Sequence, residues 1–127
     1  LGAAGLKDIG AHFPDTDPEY EGADSICLLK KVGELLTEKG YGVGNIDATV
    51  IAQKPKLRPY MEEMERRMAE ALGIEPGQIN IKATTEEGLG FTGMEEGIAA
   101  QAVALIESFY EGSSSPIGCS GCPRARN

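Results

Sequence analysis

Ile46-Asp47-Ala48-Thr49-Val50-Ile51-Ala52 and Ile79-Asn80-Ile81-Lys82-Ala83-Thr84 frame the stretch that decides the fold. In the first, Ile46, Ala48, Val50 and Ala52 alternate with Asp47, Thr49 and Ile51. In the second, Ile79, Ile81 and Ala83 alternate with Asn80, Lys82 and Thr84. A period of two predicts strands with one face buried. Pro55 breaks the first strand. Pro59 then falls where a first helical turn tolerates proline, and Glu62 and Glu63 suit a helix N-terminus. Met61, Met64, Met68 and Leu72 recur at helical spacing and form a buried stripe, which Gly73 and Pro76-Gly77 close. Strand, helix, strand predicts two parallel strands joined by a right-handed crossover, and so an α/β domain.

Upstream, Asp24 or Ser25 can cap a helix whose apolar positions are Ile26, Leu29, Val32 and Leu36, widened by Leu28 and Leu35 and ended by Gly40. Cys27 lies inside this pattern and reads as a small core residue. Lys7–Asp24 contains Pro14 and Pro18 and no sustained period, so it reads as a loop; Leu1–Leu6 reads as the end of an element that starts earlier. Downstream, Gly88–Gly93 is a glycine-rich loop. Ile98–Ile106 is open between two readings: its alanines suit a helix, whereas Gly97 and the alternation of Gln101, Val103 and Leu105 allow a strand. Gly112–Asn127 is dominated by Ser, Gly and Pro and is expected to be a flexible tail. Its lone Cys119-x-x-Cys122 lacks the second ligand pair that zinc needs. The domain is therefore placed at residues 1–111 and the tail at 112–127.

The 127 residues carry a formal charge of −8, and the only charges beyond Glu111 are Arg124 and Arg126, so the domain itself is more acidic still. That excludes a nucleic-acid surface. No apolar run approaches membrane-spanning length. His12 is the only histidine, so no multi-histidine metal site is built from these residues alone. The first residue is Leu1 and no signal peptide is visible, which suggests a processed protein or a fragment.

The crossover places the carboxyl ends of both strands on one edge, where α/β proteins favour ligands. That edge carries Ala52-Gln53-Lys54-Pro55-Lys56-Leu57-Arg58 from one strand and Thr84-Thr85-Glu86-Glu87 from the other. Three of the few basic residues gather there, and threonine hydroxyls and backbone N–H groups add anion contacts; a solvated loop is the bland alternative. Phe13-Pro14-Asp15-Thr16-Asp17-Pro18 holds two acids between two prolines, suited to substrate hydroxyls or a metal. An EF-hand fails because Tyr20 stands where glycine is required. Gly88-Leu89-Gly90-Phe91-Thr92-Gly93 fits G-x-G-x-x-G, but Glu86 and Glu87 intervene after the strand and only 34 residues follow. That context does not suit a dinucleotide fingerprint; a tight loop positioning Phe91 suits it better.

Taken together, Asp8-Ile9-Gly10, Phe13-Pro14-Asp15-Thr16-Asp17, Gly44-Asn45-Ile46-Asp47, Ala52-Gln53-Lys54-Pro55-Lys56, Lys82-Ala83-Thr84-Thr85-Glu86-Glu87 and Leu89-Gly90-Phe91-Thr92-Gly93 resemble, in this order, the 2-C-methyl-D-erythritol 2,4-cyclodiphosphate synthases from Leu1 to about Glu107. The resemblance implies an α/β (α+β) ferredoxin-like sandwich with helices on one face of a mixed sheet, and a strand at Ile98–Ile106. It implies a homotrimer with active sites between subunits. It implies cyclisation of 4-diphosphocytidyl-2-C-methyl-D-erythritol 2-phosphate with release of CMP, a step of non-mevalonate isoprenoid synthesis. The partners are then a cytidine diphosphate-linked small molecule and further copies of the chain, with no nucleic acid and no membrane.

Carried over by position, Asp8, Ile9 and Gly10 would contact the methylerythritol phosphate, and Phe13, Pro14, Asp15, Thr16 and Asp17 would line the same pocket. Ala52, Gln53, Lys54, Pro55, Lys56, Leu57 and Arg58 would receive the cytidine part. Thr84 and Thr85 would bind phosphates, with Thr85 assisting the transition state; Glu86 belongs to the same substrate edge. Glu87 would hold a second divalent ion, Mg or Mn, and Phe91 would complete the pocket. Met94 stands where many members carry arginine near the nucleotide phosphates. The zinc ligands that the resemblance implies, one aspartate and two histidines, would lie upstream of Leu1, so this chain alone is expected to be inactive. A non-catalytic nucleotide- or anion-binding assembly module on the same fold is the alternative. Bacterial cytoplasm and plastid are both compatible with these residues.

Overall fold

A computed structural model describes residues 1–109. Helix α1 spans Ser25–Glu38, strand β1 Tyr41–Ile51, helix α2 Met61–Leu72, strand β2 Ile79–Thr84, the single-turn helix α3 Gly90–Gly93 and strand β3 Ala99–Ser108. The expected tail and its Cys119-x-x-Cys122 lie outside the described residues.

The local signals act as read. Asp24 caps α1: its Oδ1 accepts from Ile26 N at 2.7 Å. Gly73 ends α2 in the left-handed region at φ 66°. Strands β1 and β2 pair in parallel from Ile46 opposite Ile79 to Ile51 opposite Thr84, with α2 as the crossover. The segment left open between helix and strand is β3, antiparallel to β1 on its other side, so the sheet order is β2-β1-β3. Its alanines do not decide the matter, because β1 offers a free edge whose backbone groups need partners.

One face of the sheet carries the core. Ile46, Ile79 and Ile81 are buried with Ala69, and Met61, Met64, Met68 and Leu72 pack against them. Helix α1 lies on α2 closely enough that a Cβ at Gly33 would stand 3.2 Å from Leu72 Cδ2. The result is an α/β sandwich with helices on one face of a mixed sheet, as expected. One expectation fails: Cys27 is exposed, not core, because it lies off the stripe that α1 turns inward.

Strand β1 begins five residues before the alternating segment. Gly42 and Gly44 hide that extension in the sequence, and both are used. The Phe109 ring lies over Gly42, with Cζ 2.6 Å from where a Cβ would be. Gln78 Nε2 donates to Val43 O at 3.3 Å and Gly44 O at 2.7 Å, beside the register shift between Val43 and Asn45.

The opposite face carries a cross-strand charge cluster. Lys82 Nζ lies 2.6 Å from both Asp47 carboxylate oxygens, and Asn80 Nδ2 donates to Asp47 Oδ1 at 2.8 Å. The hydrogen bond from Lys82, then that from Asn80, holds the Asp47 carboxyl below its ordinary value. A depressed folded-state value stabilises the fold fully above the unfolded value of about 3.9, and the benefit is lost as pH falls through the lower folded value. Urea unfolding midpoints measured from about pH 6 down to pH 2 should therefore fall less steeply at the acid end in Asp47→Asn than in the unaltered protein. Equal acid slopes would contradict this.

Candidate functional site

Strands β1 and β2 end side by side, and Ala52 N continues the pairing by donating to Thr84 O at 3.0 Å. Beyond that point the two chains diverge. β1 leads through Gln53 and the cis Lys54–Pro55 peptide to a 3-10 turn at Arg58–Tyr60 and into α2. The gap is a cleft of about 700 Å³. Ala52, Gln53, Pro55, Lys56, Leu57, Arg58 and Met61 form one wall; Ile81, Lys82, Ala83, Thr84 and Thr85 form the other. The two sequence segments expected at one edge thus meet in part across a single cleft: Glu86, Glu87, Phe91 and Met94 are not among its lining residues. Met61, Ile81 and Ala83 complete its lining, although their periodic positions mark them only as core.

The three expected cations do not behave alike. Lys56 and Arg58 line the cleft. Lys54 does not; its Nζ pairs with Glu95 Oε1 at 3.0 Å. Lys82 lines the cleft but is committed to Asp47.

The loop after β2 is folded on itself. Glu87 N donates to Thr85 Oγ1 at 3.3 Å, which leaves the Thr85 hydroxyl hydrogen free to donate elsewhere. Gly88 N donates to Gln53 Oε1 at 3.2 Å, tying the loop to the opposite wall. Thr92 Oγ1 donates to Glu86 Oε2 at 2.5 Å, and Thr92 is 1% exposed. Thr92 was not marked by the sequence: a threonine among glycines carries no signal of burial. The G-x-G-x-x-G spacing serves backbone geometry. Gly88 and Gly90 have φ of 84° and 67°, and a Cβ on Gly93 would stand 2.9 Å from Gly88 Cα. Phe91 is 56% exposed, with its ring beside Gly97, and Met94 is 65% exposed.

The N-terminal segment lies elsewhere. Asp8 Oδ1 accepts from Ala11 N at 2.9 Å, and Asp17 Oδ1 from Glu19 N at 2.9 Å. Phe13 packs edge-on against Tyr20 with centroids 5.4 Å apart, and Lys31 Nζ lies 4.8 Å from the Tyr20 ring centroid. Phe13 lines a cavity with His12, Lys31, Glu34, Leu35 and Glu38 on α1. None of Asp8, Ile9, Gly10 or Phe13 to Asp17 lines the β1–β2 cleft. Within one chain the expected site is therefore in two parts.

A family model described as the YgbB family matches residues 1–107. The chain belongs to the YgbB family. Among its relatives, a 2-C-methyl-D-erythritol 2,4-cyclodiphosphate synthase of Agathobacter rectalis is 63% identical over 123 residues, covering 96% of this chain and 70% of that protein. The synthase of the same name from Bacillus subtilis is 60% identical over 107 residues, covering 84% and 68%. Among solved structures, the bifunctional IspDF of Campylobacter jejuni matches with a TM-score of 0.82 at 43% identity, over 86% of this chain but 30% of that one. A CDP complex from Plasmodium falciparum matches with a TM-score of 0.70 at 33% identity, over 84% and 62%.

The donor sets can be compared with the metals implied. No group of three or more His, Cys, Asp or Glu side chains able to hold one ion occurs among the described residues, so these residues do not fit zinc. Glu87 is a different case. Mg²⁺ and Mn²⁺ accept one or two carboxylates and take further oxygens from substrate phosphates, and a single glutamate next to two threonines fits that pattern. If the close approach of Gly93 to Gly88 organises the loop, Gly93→Ala should destabilise the protein by about 1–3 kcal/mol, read by urea denaturation. Gly97→Ala, which meets only the edge of an exposed ring, should cost less, and the reverse order would contradict this reading.

Proposed function

We propose that the protein carrying this chain cyclises 4-diphosphocytidyl-2-C-methyl-D-erythritol 2-phosphate to 2-C-methyl-D-erythritol 2,4-cyclodiphosphate and releases CMP. The observation that carries the reading is the cleft at the joint end of β1 and β2, which brings Lys56 and Arg58 opposite Thr84 and Thr85 in a member of the YgbB family. An oxygen of the 2-phosphate attacks the β-phosphorus, the bond from that phosphorus to the bridging oxygen breaks, and CMP leaves with the electron pair. Such a reaction is governed by positioning and by neutralising charge.

Ala52 to Arg58 receive the cytidine monophosphate part. Lys56 and Arg58 supply positive charge that Lys54, paired with Glu95, does not. Thr84 and Thr85 hold the phosphates, and the uncommitted Thr85 hydroxyl hydrogen donates to the oxygen that gains charge at the β-phosphorus. Glu87 holds Mg²⁺ or Mn²⁺, which lowers the repulsion between the two phosphates when bound. Phe91 borders the site. Met94, a thioether, adds no charge there.

Asp8, Ile9, Gly10 and Phe13 to Asp17 receive the methylerythritol phosphate. Their separation from the cleft within one chain supports a site shared between copies, as in the homotrimer that the resemblance implies. The exposed outer sheet face, with Val103 at 76% and Leu105 at 60% exposure, supports the same assembly. Zinc belongs to the whole enzyme in this reading; with His12 as the only histidine, the 127 residues by themselves do not build its site and are read as inactive alone. Thr85→Val in the full-length protein should lower kcat about 100-fold with KM changed less than threefold, as expected for loss of a donor used in the transition state. Thr85→Ser should retain most activity. A Thr85→Val enzyme with unaltered kcat would overturn the role.

A further inference from the structure

Two adjacent glutamates follow the phosphate-binding threonines, and the structure gives them opposite surroundings. Glu86 is turned back into its own loop, where Oε2 accepts the hydroxyl of Thr92 at 2.5 Å. An O–H donating to a carboxylate is among the stronger hydrogen bonds available. Thr92 is 1% exposed, so water does not readily replace Glu86 as its partner, and losing either group leaves the other without its match.

The bond closes a ring. Leu89 N donates to Glu86 O at 3.0 Å and Gly93 N to Leu89 O at 3.1 Å. Gly88 sits against Gly93 and is pinned by its N–H to Gln53 across the cleft. Glu87 lies between the two anchored positions, 86 and 88, with φ at 54°. A non-glycine residue holds that conformation only where its surroundings impose it. The same backbone N–H of Glu87 fixes the Thr85 hydroxyl.

We propose that Glu86 and Thr92 form a latch that holds Glu87 in place next to the cleft-lining Thr85, and that Glu86 is a positioning residue and not a ligand of substrate or metal. The assignment rests on the reading of Glu87 as the holder of Mg²⁺ or Mn²⁺. It also separates the roles of the two carboxylates: one accepts the Thr92 hydroxyl and the other remains for the ion.

Two readouts on the full-length protein test the latch. Mn²⁺ is titrated in the presence of CDP, with free ion followed by electron paramagnetic resonance. Amide hydrogen exchange at Glu87, Gly88 and Leu89 is followed without metal. Thr92→Val should weaken Mn²⁺ binding about 10-fold, the cost of losing a partner that orients a ligand, and should speed exchange about 10-fold. Thr92→Ser should restore both to within about twofold, and Glu86→Gln, whose amide oxygen still accepts, should fall between. Glu87→Gln should lose Mn²⁺ while exchanging like the unaltered protein at Gly88 and Leu89. If Glu86→Gln loses Mn²⁺ as fully as Glu87→Gln while Thr92→Val is silent, Glu86 is a ligand and the latch is overturned. If Thr92→Val matches the unaltered protein in both readouts while Glu87→Gln is impaired, the latch alone fails. If Glu87→Gln binds Mn²⁺ normally, the metal role of Glu87 fails instead.

Discussion

The parallel pairing of β1 with β2 constrains everything else in this chain. Parallel neighbours cannot be joined by a tight turn, so the chain must cross over the sheet, and the crossing helix must bury a face on it. Met61, Met64, Met68 and Leu72 meet that demand against Ile46, Ile79 and Ile81. Helix α2 also serves the backbone: Glu65 Oε1 accepts from Ile81 N at 2.9 Å, on the edge of β2 that no described strand covers. Gln78, in the turn after α2, grips Val43 and Gly44 on β1. With register fixed this way, Ile51 and Thr84 end at the same level, and the two following segments have to part. The cleft is the space they leave.

Charge then shapes what the cleft can hold. A chain at −8 is a poor host for a phosphate ester unless its acids are kept away. The structure does this by pairing. Asp47 is held by Lys82 and Asn80 on the outer face. Glu95 takes Lys54, while Glu86 keeps its charge and accepts the Thr92 hydroxyl. What lines the cleft is Lys56, Arg58 and two threonines, with Glu87 following them in the loop. In the proposed reaction a divalent ion supplies the charge that these side chains do not.

Much of this was legible in the residues, for identifiable reasons. The period-two segments and the methionine stripe between them specify the crossover, and the crossover specifies the edge. The start of β1 was not legible, because Gly42 and Gly44 mimic a loop while serving Phe109 and Gln78. The helix-or-strand ambiguity at Ile98–Ile106 needed the free edge of β1 to resolve it. Cys27 misled because periodicity marks a helix's apolar stripe but not its margins. In the site, Lys54 and Glu86 were expected on the substrate edge, and each has a partner within the chain, Glu95 and Thr92; spacing alone does not encode those partners. The division between the Asp8–Asp17 segment and the cleft is likewise a property of three-dimensional placement: Phe13 finds Tyr20 and α1 within its own chain.

The central claim is that the joint carboxyl edge of β1 and β2 receives a cytidine nucleotide. Mapping backbone amide shifts of the protein carrying this chain during titration with CDP tests it most directly. The account predicts saturable changes concentrated at 52–58 and 84–85, with residues of α1 and the Asp8–Asp17 segment unmoved by the nucleotide. Saturable binding whose shifts centre elsewhere, or no shift at millimolar CDP, would contradict it.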